Sequence, residues 1–275
     1  MTTPNHYLYE LRDGVGIVTL NRPERLNAVS WELAADLVKL FTELRDDEDV
    51  RTILLTGAGK AFCAGGDADF VSGAGARPLP GLSDPSIPMK RSQRKTPGGP
   101  FAAFTKALID VEKPVIAAIH CACVGAGLAY ALACDRRFAD STAKLSAIFV
   151  KRGFSPDCGV PWFLPRIVPL PVALQMVETG KMFGAEEAKS VGLVDELVPE
   201  GKDFEAAFAY AKELATGPSV AIDLGRRFIH KALTSTLDEM LDYECVASTM
   251  TSSTRDAKEG VASILEKRKP EWKGF

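Results

Sequence analysis

Apolar positions follow two rhythms along this chain. Val15 to Leu20 is a β-rich run closed by Asn21-Arg22-Pro23-Glu24, and Pro23 has no N–H to give to a ladder, so a strand ends there. After Ser30 the rhythm changes. Leu33, Leu37, Leu40, Phe41 and Leu44 recur at the spacing of one buried helical stripe, with Ser30 placed as its N-cap. Thr52 to Thr56 and Val115 to Ile119 are short apolar runs, as expected for strands covered on both faces, and Leu128 to Cys134 reads as an apolar helix. Strands and helices in alternation predict an α/β fold with a mainly parallel sheet.

Beyond Asp203 the pattern is helical throughout: Asp203 to Ala215, Ser219 to Ala232, Leu237 to Val246, and Thr254 to Lys267 with Thr254 as candidate cap. Helices appended to a finished sheet cannot bury every apolar stripe alone, which predicts packing onto other copies. Between the second and third strands, Gly73 to Pro100 is crowded with glycine and proline and carries Arg77, Lys90, Arg91, Arg94 and Lys95 against one acid, Asp84. A loop of this length is either a solvated insertion or a functional arm. The expected division is a core over 1–202 with an insertion at 73–100, then a helical region over 203–275.

Composition narrows the function. At 275 residues, 46% hydrophobic and 25% charged, the chain is an ordinary globular protein. A net charge of −3 supplies no bulk field for nucleic acid or an anionic membrane, and the basic loop has no interleaved aromatics for RNA stacking. No apolar run approaches a membrane span, and the first residues do not resemble a signal peptide, so the expected location is the cytoplasm. The six cysteines form no Cys-x-x-Cys pair and read as buried free thiols, with no metal site expected.

The common catalytic motifs are missing. Gly125-Ala126-Gly127 follows a strand, but Tyr130 stands where a dinucleotide fingerprint needs its third glycine, and no Gly-x-Ser-x-Gly or His-Glu-x-x-His occurs. Two glycine-bearing turns remain, Ala64-Gly65-Gly66-Asp67 and Val124-Gly125-Ala126-Gly127, each after a strand. Backbone N–H groups at such turns favour negative charge, and two converging would form an oxyanion hole. Glycines that only permit tight turns would give the same pattern.

Taken together, the segments resemble the crotonase superfamily, also called the enoyl-CoA hydratase/isomerase family. The matching pieces are Asn21-Arg22-Pro23, Leu26-Asn27-Ala28, Leu54-Leu55-Thr56-Gly57, Ala61 to Asp67, Lys113 to Ile119, Gly125-Ala126-Gly127 with Cys134-Asp135, Gly192-Leu193-Val194, and Glu259-Gly260 before Glu266-Lys267-Arg268. The resemblance implies a spiral of strand-strand-helix repeats with a C-terminal helical trimerisation region, assembled as a homotrimer or hexamer. It implies an acyl-CoA thioester substrate, with coenzyme A part of the substrate and no separate cofactor. The hole would be the N–H groups of Gly66 and Ala126, and substrate contacts would come from Arg25, Ala28, Ala64, Asp67, Phe149 and Trp162. Asp67 is expected to cap the helix after it, and Asp135 to be structural.

Departures from the family pattern point to the reaction. The family's hydratases carry two glutamates where this chain has Ala129 and Phe149, so nothing there orients and deprotonates a water. Instead, Gly153-Phe154-Ser155-Pro156-Asp157-Cys158-Gly159 resembles the family's isomerases of enoyl-CoA and epoxyphenylacetyl-CoA, whose single acid is the aspartate of Pro-Asp-x-Gly. Asp157 is therefore the candidate acid/base, expected to be desolvated among Phe149, Phe154 and Trp162; Pro-Asp-x-Gly is also a good β-turn in its own right. The expected activity is an isomerase that shifts a double bond or rearranges an epoxide through an enolate. The alternatives are a hydratase or hydrolase of the same family, or an acyl-CoA-binding homologue without catalysis.

Overall fold

The computed structural model describes residues 6–67 and 99–275. The insertion expected over 73–100 lies outside the described residues, except for Gly99 and Pro100, which open a helix.

Two sheets carry the molecule. In the larger, β1 (Tyr7–Arg12), β2 (Val15–Leu20), β3 (Thr52–Gly57), β4 (Val115–Ile119), β6 (Arg136–Asp140) and β9 (Glu196–Val198) lie side by side in that order. All neighbours are parallel except β1 and β2, joined by a two-residue hairpin with Asp13 at φ 54° and Gly14 at φ 76°. The smaller sheet pairs β5 (Ala122–Val124) with β7 (Lys144–Ser146), and β7 with β8 (Phe183–Gly184). The chain climbs between the sheets in steps: β4 then β5, β6 then β7. Cys63 joins the same staircase one step earlier, as a bridge partner of Cys123 in β5.

Helices close both faces of the larger sheet. Helix α1 (Trp31–Asp46) starts where Ser30 Oγ accepts from Leu33 N at 3.2 Å, and buries the stripe Leu33, Leu37, Leu40, Phe41 and Leu44 read from the sequence. With it on one face lie α2 (Gly99–Asp110), α3 (Ala126–Ala133), α4 (Val160–Ile167), α5 (Leu170–Thr179) and α6 (Ala185–Ser190). The other face is sealed by α7 (Asp203–Ala215). Its Ala207, Ala211 and Ala215 recur every four residues, small enough to let the helix settle onto Val15, Ile17, Leu54, Ile116, Ala118 and Phe138.

The last three helices, α8 (Ser219–Ala232), α9 (Leu237–Ser252) and α10 (Arg255–Leu265), form an arm. Helix α8 buries no residue fully and is tied to the core by polar contacts. Arg226 Nε meets Asp135 Oδ2 at 2.7 Å, His230 Nε2 lies 2.9 Å from Asp135 Oδ1, and Val115 N donates to the same carboxylate at 2.7 Å. Asp135, at the C-terminal end of α3, thus has structural work, and its partners hold it ionised below the ordinary carboxylate range against burial. Thr254 caps α10 as expected, accepting from Ala257 N at 3.0 Å. Ile229, Leu237, Ile264 and Leu265 on this arm are 72–78% exposed in the single chain. No helix among the described residues is long and apolar enough to cross a membrane.

A second polar tie joins the far end of β4 to α7. His120 Nδ1 sits 3.1 Å from Oδ2 of buried Asp203, and this hydrogen bond raises the histidine pKa against the opposing effect of burial. A histidine with a raised folded pKa stabilises fully below its free value of about 6.5, and that contribution fades as pH rises through the folded value. Asp203→Asn should therefore lower Tm more at about pH 6 than at about pH 9. Thermal melts across this range check it; an equal loss at both ends would count against the pair.

Candidate active site

Asn27 organises the first of the two turns. Fully buried and at φ 56°, a left-handed value asparagine tolerates, it accepts from Arg22 N at 2.9 Å and donates to Ala58 O and Ala61 O at 2.9 and 2.6 Å. This fixes the exit of β3. Cys63 then pairs with β5, donating to Ala122 O at 2.9 Å and accepting from Val124 N at 3.0 Å. Next, the Gly65–Gly66 peptide aims its carbonyl at Val29 N, 2.8 Å away. A trans peptide sends its N–H the opposite way, so the Gly66 donor points away from Val29.

The second turn packs directly on the first. Gly125, at φ 58°, donates to Ser146 O at 3.0 Å and hands the chain to α3, whose first N–H, that of Ala126, has no intrahelical acceptor. A Cβ at Gly65, φ 93°, would stand 2.9 Å from Val124 O and 3.6 Å from Ala126 N; a Cβ at Gly127 would stand 2.5 Å from Cys63 O. Neither position has room for a side chain. Bond lengths then keep the Gly66 and Ala126 nitrogens within roughly 7 Å of each other, on turns that lie in direct contact. The two turns are thus brought together.

Around this pair the other expected residues take different places. Asp67 is buried and bound to Arg22 Nη2 at 2.6 Å, while Arg22 Nη1 donates to Ala28 O; the helix start that Asp67 is expected to cap lies outside the described residues. Ala64 donates to Leu26 O at 2.9 Å, and Arg25 is exposed on the 3-10 turn Pro23–Arg25. Phe149 is half-buried in the 3-10 turn Ile148–Arg152, and Ala129 is fully buried on α3. Trp162 does not join this group. It lines a cleft with Ile109, Arg226 and His230 beside Asp135, at the opposite end of α3 from Ala126, about 12 Å along the axis.

Asp157 occupies a tight corner. Its carbonyl accepts from Val160 N at 3.0 Å across Cys158 at φ 53° and Gly159 at φ 90°, the signature of a type I′ turn. Thr105 Oγ1 of α2 holds the Cys158 carbonyl at 2.8 Å. The desolvation expected for Asp157 is corrected here. Asp157 is exposed, as are Phe154 (51%) and Trp162 (39%), because the turn carries this stretch outward over α2 rather than into the core.

Beneath the turns lie thiols. Cys63, Cys123, Cys134 and Cys158 are buried and free, Cys121 is half-buried and Cys245 exposed; burial pushes the Cys63 thiol up to about 12, keeping it protonated. The Arg22–Asp67 pair and the anchoring role of Asn27 were not read from the sequence, although both stand in the quoted motifs.

The family profile described as enoyl-CoA hydratase/isomerase matches residues 10–274. Over 267 residues the chain is 35% identical to 1,2-epoxyphenylacetyl-CoA isomerase of Escherichia coli (strain K12), covering 97% of this chain and 98% of that one. It is 33% identical to (E)-benzylidenesuccinyl-CoA hydratase of Thauera aromatica, covering 96% and 98%. The crystal structure of enoyl-CoA hydratase from Bacillus anthracis superposes with a TM-score of 0.86 at 29% identity, over 98% of this chain and all of that one.

The packing of the two turns has a direct test. Gly127→Ala forces a methyl group onto the Cys63 carbonyl, and overpacking of this kind typically costs about 1–3 kcal/mol. Gly184→Ala, where an added Cβ meets nothing within 4 Å, is the control. Thermal melts should show a clear drop in Tm for the first and almost none for the second.

Proposed function

Because the chain belongs to the enoyl-CoA hydratase/isomerase family, we propose that it is an acyl-CoA isomerase that works through a thioester enolate with Asp157 as its one acid/base. The observation that carries the reading is the side-chain chemistry beside the turns: Ala129 is fully buried and Phe149 half-buried where the family's hydratases place carboxylates, leaving Asp157 as the candidate acid.

The thioester carbonyl accepts from the N–H groups of Gly66 and Ala126, which strengthen their hold as charge moves onto oxygen. One such donor is typically worth about 3–4 kcal/mol in the transition state. The carbon next to the thioester becomes acidic, and Asp157 takes its proton. Exposed in the free chain, Asp157 is desolvated by the acyl group that covers it, which makes the carboxylate a better base. Returning the proton two carbons further along moves the double bond. In an epoxide substrate, the same enolate drives opening of the strained ring.

Coenzyme A enters as part of the substrate, and the reading needs no resident cofactor. Exposed apolar residues on the C-terminal arm support assembly into a homotrimer or hexamer, and our reading sets the reaction in the cytoplasm. The 33% identity to a relative named as a hydratase is the reason to measure water addition alongside isomerisation.

Two substitutions separate the roles. Asp157→Asn keeps the turn and should lower isomerase turnover of 3-enoyl-CoA by about 10² to 10⁴-fold, with substrate binding largely retained. In deuterated water the native protein should place label in the acyl chain without hydrating 2-enoyl-CoA; efficient hydration would sink the isomerase reading. Ala126→Pro removes one donor at the first helical position, where proline is tolerated. Turnover should fall by roughly 10² to 10³-fold while coenzyme A affinity changes little.

A further inference from the structure

Tyr130 lies one helical turn beyond Ala126 on α3, with its side chain completely buried. Its hydroxyl has no hydrogen-bond partner among the described residues. Such an orphan is disfavoured in a folded interior, where phenylalanine would fill the same space without an unmet polar group. The ring is fixed: Phe104 packs edge-on against it with centroids 4.7 Å apart, and Phe104 in turn meets Phe41 at 5.2 Å.

Helix α2 touches both the Tyr130 ring and the Asp157 turn. Phe104 holds the Tyr130 ring, and Thr105, next in sequence, holds the Cys158 carbonyl at 2.8 Å. Burial, aided by nearby Cys158, Cys63 and Asp157, raises the phenol pKa well above its ordinary range, so it stays a neutral O–H donor. Gly153 at φ 73°, with open space where a Cβ would stand, begins the exposed stretch 153–155, and Asp157 is exposed beyond it, while the turn backbone is anchored at Cys158 and Gly159.

We propose that Tyr130 is a positioning residue: when an acyl group covers the Pro156–Gly159 turn, the phenol donates its hydrogen bond to the Asp157 carboxylate and aims the other carboxylate oxygen at the substrate. The orphan hydroxyl of the free chain is then a donor held ready for the bound state. This rests on the reading of Asp157 as the acid/base. It requires no proton to leave Tyr130, only a hydrogen bond that favours the ionised carboxylate and restricts its rotation.

The experiment compares native protein, Tyr130→Phe, Asp157→Asn and the double variant, using 3-enoyl-CoA turnover against pH together with thermal melts. Tyr130→Phe should keep or raise Tm, leave KM within about twofold, and lower kcat by about tenfold. The acid limb of its kcat profile should move upward by roughly one pH unit, because a bond that favoured the ionised carboxylate is lost. The double variant should be no slower than Asp157→Asn alone. Native kcat and pH profile in Tyr130→Phe beside an inactive Asp157→Asn would overturn the positioning role and leave the Asp157 reading standing. So would a tenfold loss repeated in the Asp157→Asn background, or a fall in Tm. Near-native activity of Asp157→Asn would instead remove the Asp157 reading, and the positioning role with it.

Discussion

Backbone against backbone is the constraint from which the rest of this structure follows. The Gly65 turn and the Gly125 turn touch without a side chain between them, with Val124 O and Ala126 N within van der Waals reach of a Cβ that Gly65 lacks. That contact exists because Cys63 bridges Cys123, which requires β3 and β4 to be neighbours in the larger sheet and their continuations to be neighbours again in the smaller one. Two donors on different turns are thus set by strand register, the stiffest geometry a chain of this size offers. Side chains around them are held to the same frame: Arg22 locks to Asp67, and Asn27 fastens the exit of β3.

Charge is used in two ways. Asp67, Asp135 and Asp203 are enclosed and partnered, each joining segments distant in sequence: Asp67 to Arg22, Asp135 to α8, Asp203 to the end of β4. Asp157 is exposed at the corner of a turn whose backbone, not whose side chain, is tied down. A carboxylate with its interactions already taken has little left for a reacting proton, while one whose surroundings change on binding has room to change its basicity.

What could be read in advance follows from locality. Helix α1 was legible because Ser30 and its leucine stripe lie within four turns of one another, and the two donor turns because glycine marks them. Strand β1 escaped: as an exposed edge it shows no buried alternation, although Asp13-Gly14 is a hairpin signal. Helix α2 escaped because it begins at the end of a glycine- and proline-rich stretch. The exposure of Asp157 was not legible, since Phe154 and Trp162 are aromatic by sequence yet their burial depends on which way a turn carries them. Nor were the side-chain partners of Asp135, which lie 91 and 95 residues further along.

The polar docking of α8 bears on how the chain comes apart. Because this helix buries no residue fully and is held by Arg226 and His230 on Asp135, releasing it from a lone chain uncovers only side chains that are already partly exposed, Ile222, Leu224 and Phe228 among them. Heat capacity tracks apolar exposure. Detachment of the arm would therefore add little to the heat-capacity step, while melting of the sheet sealed by α7 would carry most of it. A calorimetric trace of the dissociated chain would then underestimate how much of the molecule has already come loose before the main endotherm begins.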